Sequence, residues 1–385
     1  MSHQKIYTYG KQSISWRDIW EVVKVLRSPW LTQGPKIKEF EDALCAYTGV
    51  QYAVMVSSGA AALHLAALCM NINPGDEVIT SPITFLASAN CILYAGGVVK
   101  FADIDPTTAC IDPRETEKQI TPKTRGIIPV HFAGHPCDME QLAALAQRRN
   151  LFIIEDGAHA IGSEYKGSKI GACKYSDATI FSFHPVKTIT TGEGGAITTN
   201  NKDMYEKLLR LRSHGITKDP LVLTKNDGLW YYEMHDLGFN YRMSGMQAAL
   251  GLSQLKRLEG FVQKRKEIVA FYRKAFAGDD RFALLEEKDY ATKVAYHLCP
   301  LLINFAKVST SKKEIFNALQ QQGINLQVHY IPVHTQPFYQ KLGFKNGDCS
   351  VAEAYYKKTL SLPVYPGLKG NDLEFIVETI KELAA

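Results

Sequence analysis

Phe181-Ser182-Phe183-His184-Pro185-Val186-Lys187-Thr188-Ile189-Thr190-Thr191-Gly192-Glu193-Gly194-Gly195 is an apolar run that empties into a polar, glycine-rich loop holding one lysine. Residues 177–183 predict a buried strand, and residues 195–199 predict the next one. A lysine amine condenses with an aldehyde to form a Schiff base, best where its surroundings lower its pKa. Glycines let the backbone close on a flat ligand or a phosphate. Taken alone, the loop reads equally as a surface turn with a solvated lysine.

Two upstream segments bear on that choice. In Ile153-Ile154-Glu155-Asp156-Gly157-Ala158-His159-Ala160-Ile161-Gly162 an acid follows a buried apolar run, residues 151–155. Open α/β sheets bind ligands at the carboxyl ends of their strands. An aspartate there, Asp156, suits a protonated pyridine nitrogen, and a ring kept cationic is an electron sink. A helix-capping aspartate is the alternative. His159 is read either as a support for Asp156 and the ring or as a structural histidine. In Val56-Ser57-Ser58-Gly59-Ala60-Ala61-Ala62-Leu63 a strand (52–56), a small-residue turn and a helix (60–70) offer unpaired N–H groups, a positive dipole end and two hydroxyls. Those features suit a phosphate; an ordinary strand-to-helix turn is the plain reading. In chain order the three segments provide a phosphate cradle, a ring-nitrogen partner and a Schiff-base lysine. Each lies at the end of a predicted strand, and together they are the protein groups that pyridoxal 5′-phosphate chemistry needs. No Gly-x-Gly-x-x-Gly turn follows a strand, so a nicotinamide dehydrogenase fits poorly.

Further out, short apolar runs alternate with helical patterns over residues 1–275, which predicts a large α/β domain with a mostly parallel sheet. Residues 126–131 are another strand candidate, and Asp138 starts a helix ending near Asn150. Trp16, Ile19, Trp20, Val23 and Leu26 recur at helical spacing behind a Ser15/Asp18 cap. Residues 244–275 are mostly helical and link to a smaller α+β domain, residues 276–385. There the pattern predicts strands at 294–303 and 324–330 and helices at 311–322 and 371–385.

The chain of 385 residues is 46% hydrophobic and 22% charged, ordinary for a soluble globular protein with a large core. A net charge of +5 without a dense basic run gives no nucleic-acid footprint. No apolar stretch is long enough to cross a bilayer, and residues 1–11 are polar with no signal-peptide core. Eight scattered cysteines without a Cys-x-x-Cys pair are read as buried thiols of a cytoplasmic protein. Eleven histidines in no ligand spacing give no support for a metal site.

With these residues in view, the chain resembles the DegT-type nucleotide-sugar aminotransferases, of the fold-type-I pyridoxal-phosphate class. The resemblance runs over nearly the whole length. It includes Leu31-Thr32-Gln33-Gly34, the Ser-Ser-Gly turn, Pro82-Ile83-Thr84-Phe85, residues 155–162, the lysine loop, Gly238-Phe239-Asn240-Tyr241-Arg242-Met243 and Gln327-Val328-His329-Tyr330-Ile331-Pro332. The Phe-His-Pro-Val-Lys run before Ile-Thr-Thr-Gly-Glu-Gly-Gly resembles the branch that makes UDP-4-amino sugars for pseudaminic acid.

The resemblance implies roles by matching position. Lys187 is the Schiff-base lysine and Asp156 the partner of the pyridine nitrogen. Ser58, Gly59 and Ala60 bind the phosphate, with Ser182 as a second ligand. Phe85 stacks on the ring, unless it is a core phenylalanine. Asn240 reaches the phosphate of the other subunit, which implies a homodimer. Arg242 binds the carboxylate of the amino donor or forms a salt bridge. Tyr9, Pro29, Trp30, Leu31, Thr32, Gln327, His329 and Tyr330 meet the sugar nucleotide; Trp30 and Tyr330 also read as packing residues. The implied reaction moves the amine of L-glutamate, leaving 2-oxoglutarate, to C4 of a UDP-4-keto-6-deoxy-N-acetylhexosamine. The competing readings are an aminotransferase for 3- or 4-keto dTDP or GDP sugars and a non-catalytic regulatory protein that binds the cofactor. A dehydratase of this family carries histidine in place of the lysine, and Lys187 argues against it.

Overall fold

The computed structural model describes residues 5–385; the first four residues of the polar N-terminal stretch lie outside the described residues. Seven apolar segments pair into one sheet: β1 (Tyr52–Val56), β2 (Glu77–Thr80), β3 (Val98–Phe101), β4 (Thr124–Ile128), β5 (Phe152–Asp156), β6 (Ala178–Ser182) and β7 (Gly195–Thr199). Their spatial order is β1-β7-β6-β5-β4-β2-β3. All neighbours pair in parallel except β7, which runs antiparallel to both β1 and β6. The predicted α/β class, with a largely parallel sheet, is therefore the observed one. Helices Gly59–Cys69 and Met139–Arg149 fill crossovers, and the first of them is apolar nearly all round because it is buried.

Strand β7 sets the site. Its register places Gly195 opposite both Val56 and Ser182, so the chain leaves β6 and re-enters β7 at one edge of the sheet. That is the edge where the parallel strands end. Residues 183–194, with Lys187, thus stay beside the turn after β1 and the end of β5. Only glycine fits at 195, since a Cβ there would lie 2.5 Å from the Ser58 carbonyl oxygen.

The later part of the chain builds a three-stranded antiparallel sheet from Phe282–Leu284, Cys299–Ile303 and Thr359–Leu362. Leu301, Ile303, Ile315, Leu319, Ile376 and Ile380 form its buried cluster with helices Lys312–Gln321 and Gly370–Leu383. The long helix Leu258–Phe276 joins two cores: Leu258, Phe261 and Val262 pack in the first, and Ile268, Val269 and Tyr272 in the second.

Several expectations shift. The strand expected at 126–131 is β4, which stops at Ile128, before Pro129, a residue with no N–H for the ladder. The strand expected at 294–303 is confined to Cys299–Ile303; Ala295 bonds instead to Ser163 Oγ and Leu298 to the Ala133 carbonyl. The strand expected at 324–330 is two residues, Ile324–Asn325, paired in parallel with Tyr7–Thr8. Residues 327–331 in succession line the central cavity, which a pleated strand with alternating faces cannot do. The capped helix Trp16–Leu26 is present, with a Ser15/Asp18 capping box, but its stripe is turned outward. Trp16 is 84% and Trp20 54% exposed, while Asp18 is fully buried on Ser253, Gln254 and Arg257.

One buried cation ties helix Leu258–Phe276 to the segment before Cys299–Ile303. Arg265, 1% exposed, donates through Nη1 to the carbonyls of Tyr296 (3.2 Å), His297 (3.2 Å) and Val364 (2.7 Å). Burial pulls its pKa down to about 10, so the charge is retained at neutral pH. Arg265→Leu leaves these carbonyls buried without a donor. Chemical denaturation is expected to show a loss of about 3 kcal/mol, from unsatisfied buried acceptors.

Candidate active site

The edge that β7 creates opens into a cavity of about 620 Å³. Twelve sequence-predicted residues line it: Tyr9, Ser58, Gly59, Ala60, Phe85, Asp156, His159, Ser182, Lys187, Gln327, His329 and Tyr330. Asn240, Arg242, Pro29, Trp30, Leu31 and Thr32 do not line it in this chain. Pro29, Trp30, Leu31, Thr32 and Asn240 are exposed, and Arg242 is half-buried with a backbone bridge to Val56 and no ion pair among the described residues.

At one wall, Ser58 caps helix Gly59–Cys69, its Oγ accepting from the Ala61 N–H at 3.1 Å. The N–H groups of Gly59 and Ala60, in the first turn, have no acceptor within the helix. A Cβ on Gly59 would lie 2.8 Å from the Ser182 Cβ, so glycine lets this helix start sit directly on the end of β6. Two free N–H groups, a positive helix end and a second hydroxyl make a cradle for a phosphate.

At the floor, Asp156 ends β5 and is 5% exposed. It caps no α-helix. Its Oδ2 accepts from Ser88 Oγ at 2.6 Å and its Oδ1 from the Ala158 N–H at 3.0 Å. With the Ser88 proton directed at Asp156, Thr84 donates to Ser88 over 2.6 Å. These bonds fix the orientation of the carboxylate. Ser88 and Thr84 escaped the sequence reading; Thr84 lies in Pro82-Ile83-Thr84-Phe85, one turn before Ser88, and that spacing was the available signal.

The lysine loop is held shut from within. The Phe183 N–H donates to the Gly194 carbonyl, the Thr191 N–H to the Phe183 carbonyl, and the Lys187 N–H to the His184 carbonyl in a turn with Pro185 at its second position. Thr188, Ile189 and Thr190 are buried and Gly192 takes φ of +79°, so the loop cannot slide outward. Lys187 is half-buried and lines the cavity, its amine beside His297, which sets it apart from a solvated surface lysine. Burial brings its pKa down to about 8, against the opposing pull of the Asp156 carboxylate. Its nearest polar partner is His297 Nε2 at 3.5 Å.

Histidines surround that amine. His159 is 4% exposed; its Nδ1 accepts from the Ala133 N–H at 3.3 Å, so its proton sits on Nε2, 3.2 Å from the Tyr330 hydroxyl. Its ring lies 4.5 Å from that of His297. Burial foremost, then the Lys187 charge, holds His159 and His297 well below their ordinary pKa and brings His329 to about 3. His297 was not anticipated: it lies inside the apolar run read as a strand, where a lone histidine carried no pattern. Phe85 is 61% exposed toward the cavity, which rules out a core role, and its ring is 6.4 Å from Tyr330. Tyr330 does both: it lines the cavity and packs edge-on against Phe132. The Tyr9 ring lies 4.7 Å from that of His329, tilted 58° to it, and the Nδ1 of His329 meets Ser361 Oγ at 2.8 Å.

This donor set fits a phosphate-bearing pyridine aldehyde. The cradle would take the anion, the carboxylate would pair with the ring nitrogen, and the amine, its pKa lowered to about 8, would attack the aldehyde carbon. Among the described residues no group of His, Cys, Asp and Glu side chains is placed to hold a metal.

Residues 12–381 match the model of the DegT/DnrJ/EryC1/StrS aminotransferase family. A Campylobacter jejuni UDP-4-amino-4,6-dideoxy-N-acetyl-beta-L-altrosamine transaminase is 40% identical over 378 residues, 97% of this chain and 96% of that protein. The structure of Helicobacter pylori PseC, an aminotransferase of pseudaminic acid biosynthesis, superposes with a TM-score of 0.91 at 34% identity, covering 99% of both chains. The PLP-form of the sugar aminotransferase Spr1654 from Streptococcus pneumoniae does so with a TM-score of 0.91 at 33% identity, again over 99% of each chain.

The depressed amine gives a pH signature. Lys187 is mostly ammonium below pH 8 and mostly free amine above it. Capture of pyridoxal phosphate by cofactor-free protein is expected to accelerate about tenfold per pH unit up to a plateau near 8. Stopped-flow absorbance reads it; a midpoint near the ordinary lysine value would refute the depressed amine.

Proposed function

The chain belongs to the DegT/DnrJ/EryC1/StrS aminotransferase family, and we propose that it carries the amino group of L-glutamate to C4 of a UDP-4-keto-6-deoxy-N-acetylhexosamine, as in pseudaminic-acid-type sugar synthesis. Its cofactor is pyridoxal 5′-phosphate. The observation that carries the reading is the Lys187 amine, its pKa lowered, and the fixed Asp156 carboxylate in one cavity with the Gly59–Ala60 helix start. The sugar and nucleotide rest on the names of the Campylobacter and Helicobacter relatives.

Bound cofactor supplies an aldehyde carbon for the transferred nitrogen and a ring that takes up a carbanion's electron pair. Lys187 provides the amine that holds it and, once released, removes and returns the proton at the carbon bearing the nitrogen. Asp156, held by two hydrogen bonds, pairs with the pyridine nitrogen and keeps it protonated. Ser58, Gly59, Ala60 and Ser182 hold the phosphate, and Phe85 and His159 flank the ring. Tyr9, Gln327, His329 and Tyr330 border the approach of the sugar nucleotide. Residues 1–275 and 276–385 act as large and small units that meet here, Lys187 and Asp156 from one, His297 and His329 from the other. Because one cavity serves both substrates in turn, the kinetics are ping-pong.

Asn240, Arg242 and the stretch Pro29-Trp30-Leu31-Thr32, which lie outside this chain's cavity, are assigned to the site of a second protomer. The outward apolar face of Trp16, Ile19 and Trp20 supports a homodimer, since a patch of this kind rarely stays in water. No helix among the described residues is long and apolar enough to cross a membrane, and all eight cysteines are unpaired, which suits a cytoplasmic enzyme.

Lys187→Ala is expected to abolish turnover and to remove the visible absorbance of the lysine-bound cofactor. Turnover of the wild type against UDP, dTDP and GDP keto-sugars, with product position read by NMR, tests the substrate. Amination of the UDP sugar at C4 is the expected result; preference for a dTDP or GDP sugar, or amination at C3, replaces the proposed substrate with that one. Analytical ultracentrifugation is expected to give a dimer of 43.0 kDa chains, and Trp20→Glu to shift it toward monomer.

A further inference from the structure

His297 makes the Lys187 amine's closest polar contact, yet nothing in the reaction above uses it. Its Nε2 lies 3.5 Å from Nζ, and its Nδ1 has no hydrogen-bond partner among the described residues. The ring is 2% exposed and leans on the His159 ring. Its backbone is fixed from two sides. Arg265 binds its carbonyl, and Gly134, at φ of +98°, leaves room where a Cβ would lie 3.3 Å from the His297 N–H nitrogen. A buried polar side chain costs free energy unless it is hydrogen-bonded. Among the described residues the lysine amine is its one hydrogen-bonding neighbour, at Nε2, while Nδ1 has none.

We propose that His297 is a positioning residue: its Nε2 accepts an N–H of the Lys187 amine and holds that nitrogen whenever it is not bonded to the cofactor. The inference rests on the proposed role of Lys187 and deepens it. A lysine that leaves and returns once per half-reaction needs a defined place to stand, because free rotation of a four-carbon stem spreads the amine over many rotamers. Neutral imidazole suits the task. Burial and the neighbouring Lys187, His159, Arg265 and His329 oppose a proton on His297, so it accepts from the amine without repelling it. Tyr330 and the Ala133 N–H lock His159, and His159 in turn keeps the His297 ring from tipping.

Two substitutions of similar polarity separate this role from packing. His297→Gln carries a side-chain amide to where Nε2 stands; His297→Asn ends it one bond short. The readout is the pH midpoint of Lys187 capture by pyridoxal phosphate in cofactor-free protein, trapped with borohydride and located by peptide mass. Loss of an acceptor disfavours the ammonium, so His297→Asn is expected to lower the midpoint by about one pH unit. The same variant is expected to slow each half-reaction about tenfold with KM for L-glutamate nearly unchanged. His297→Gln restores both toward wild type. Equal midpoints in wild type and both variants, with folding confirmed by thermal melts, overturn the proposal, as does failure of His297→Gln to differ from His297→Asn. Absence of trapped mass on Lys187 in the wild type is a separate outcome and sinks the assigned role of Lys187 itself.

Discussion

One antiparallel strand in an otherwise parallel sheet governs this molecule. Because Gly195 pairs at once with Val56 and Ser182, the chain between β6 and β7 cannot leave the edge where the parallel strands end. The lysine loop, the helix start after β1 and the acid after β5 are therefore assembled by backbone hydrogen bonding, before any side chain is considered. Two glycines permit it. Gly195 lets β7 approach the Ser58 carbonyl, and Gly59 lets the helix start touch the end of β6. A Cβ at either position would push the phosphate cradle away from the lysine.

Electrostatics then follow from where that edge is closed. His297, His329 and Tyr330, from the later part of the chain, line the cavity beside Lys187, and burial costs its ammonium part of its hydration. The Asp156 carboxylate resists this loss and limits the depression to about 8. An amine near this value is mostly protonated at neutral pH, yet about a tenth of it is free, enough to serve as nucleophile and base. Ser88 and the Ala158 N–H hold the carboxylate in place by hydrogen bonds to its two oxygens. Burial and carboxylate thus act on the same amine in opposite directions.

Much of this was legible before the fold was known. The groups proposed to hold the cofactor sit in short local motifs, each an apolar run that ends in a turn with a chemical residue, and such patterns survive in one dimension. Ser15, Asp138 and Ser311 marked helix starts for the same reason: a cap bonds within three or four residues. What stayed hidden depends on distant partners. His297 acquires meaning only when the chain returns 110 positions later to meet Lys187. Residues 327–331 alternate like a strand, yet the chain passes the cavity mouth irregularly, and no local signal records that. That Trp16 and Trp20 face outward was not legible, because periodicity reports a face and not what the face meets.

The central claim is that the three groups on one sheet edge hold one cofactor between them, and a crystal structure of the protein grown with pyridoxal 5′-phosphate tests it most directly. The account predicts continuous electron density from Lys187 Nζ to the ring, the phosphate on the N–H groups of Gly59 and Ala60, and the ring nitrogen within hydrogen-bond distance of Asp156. Cofactor density separated from Lys187, or a ring nitrogen turned away from Asp156 with the phosphate elsewhere, would contradict it.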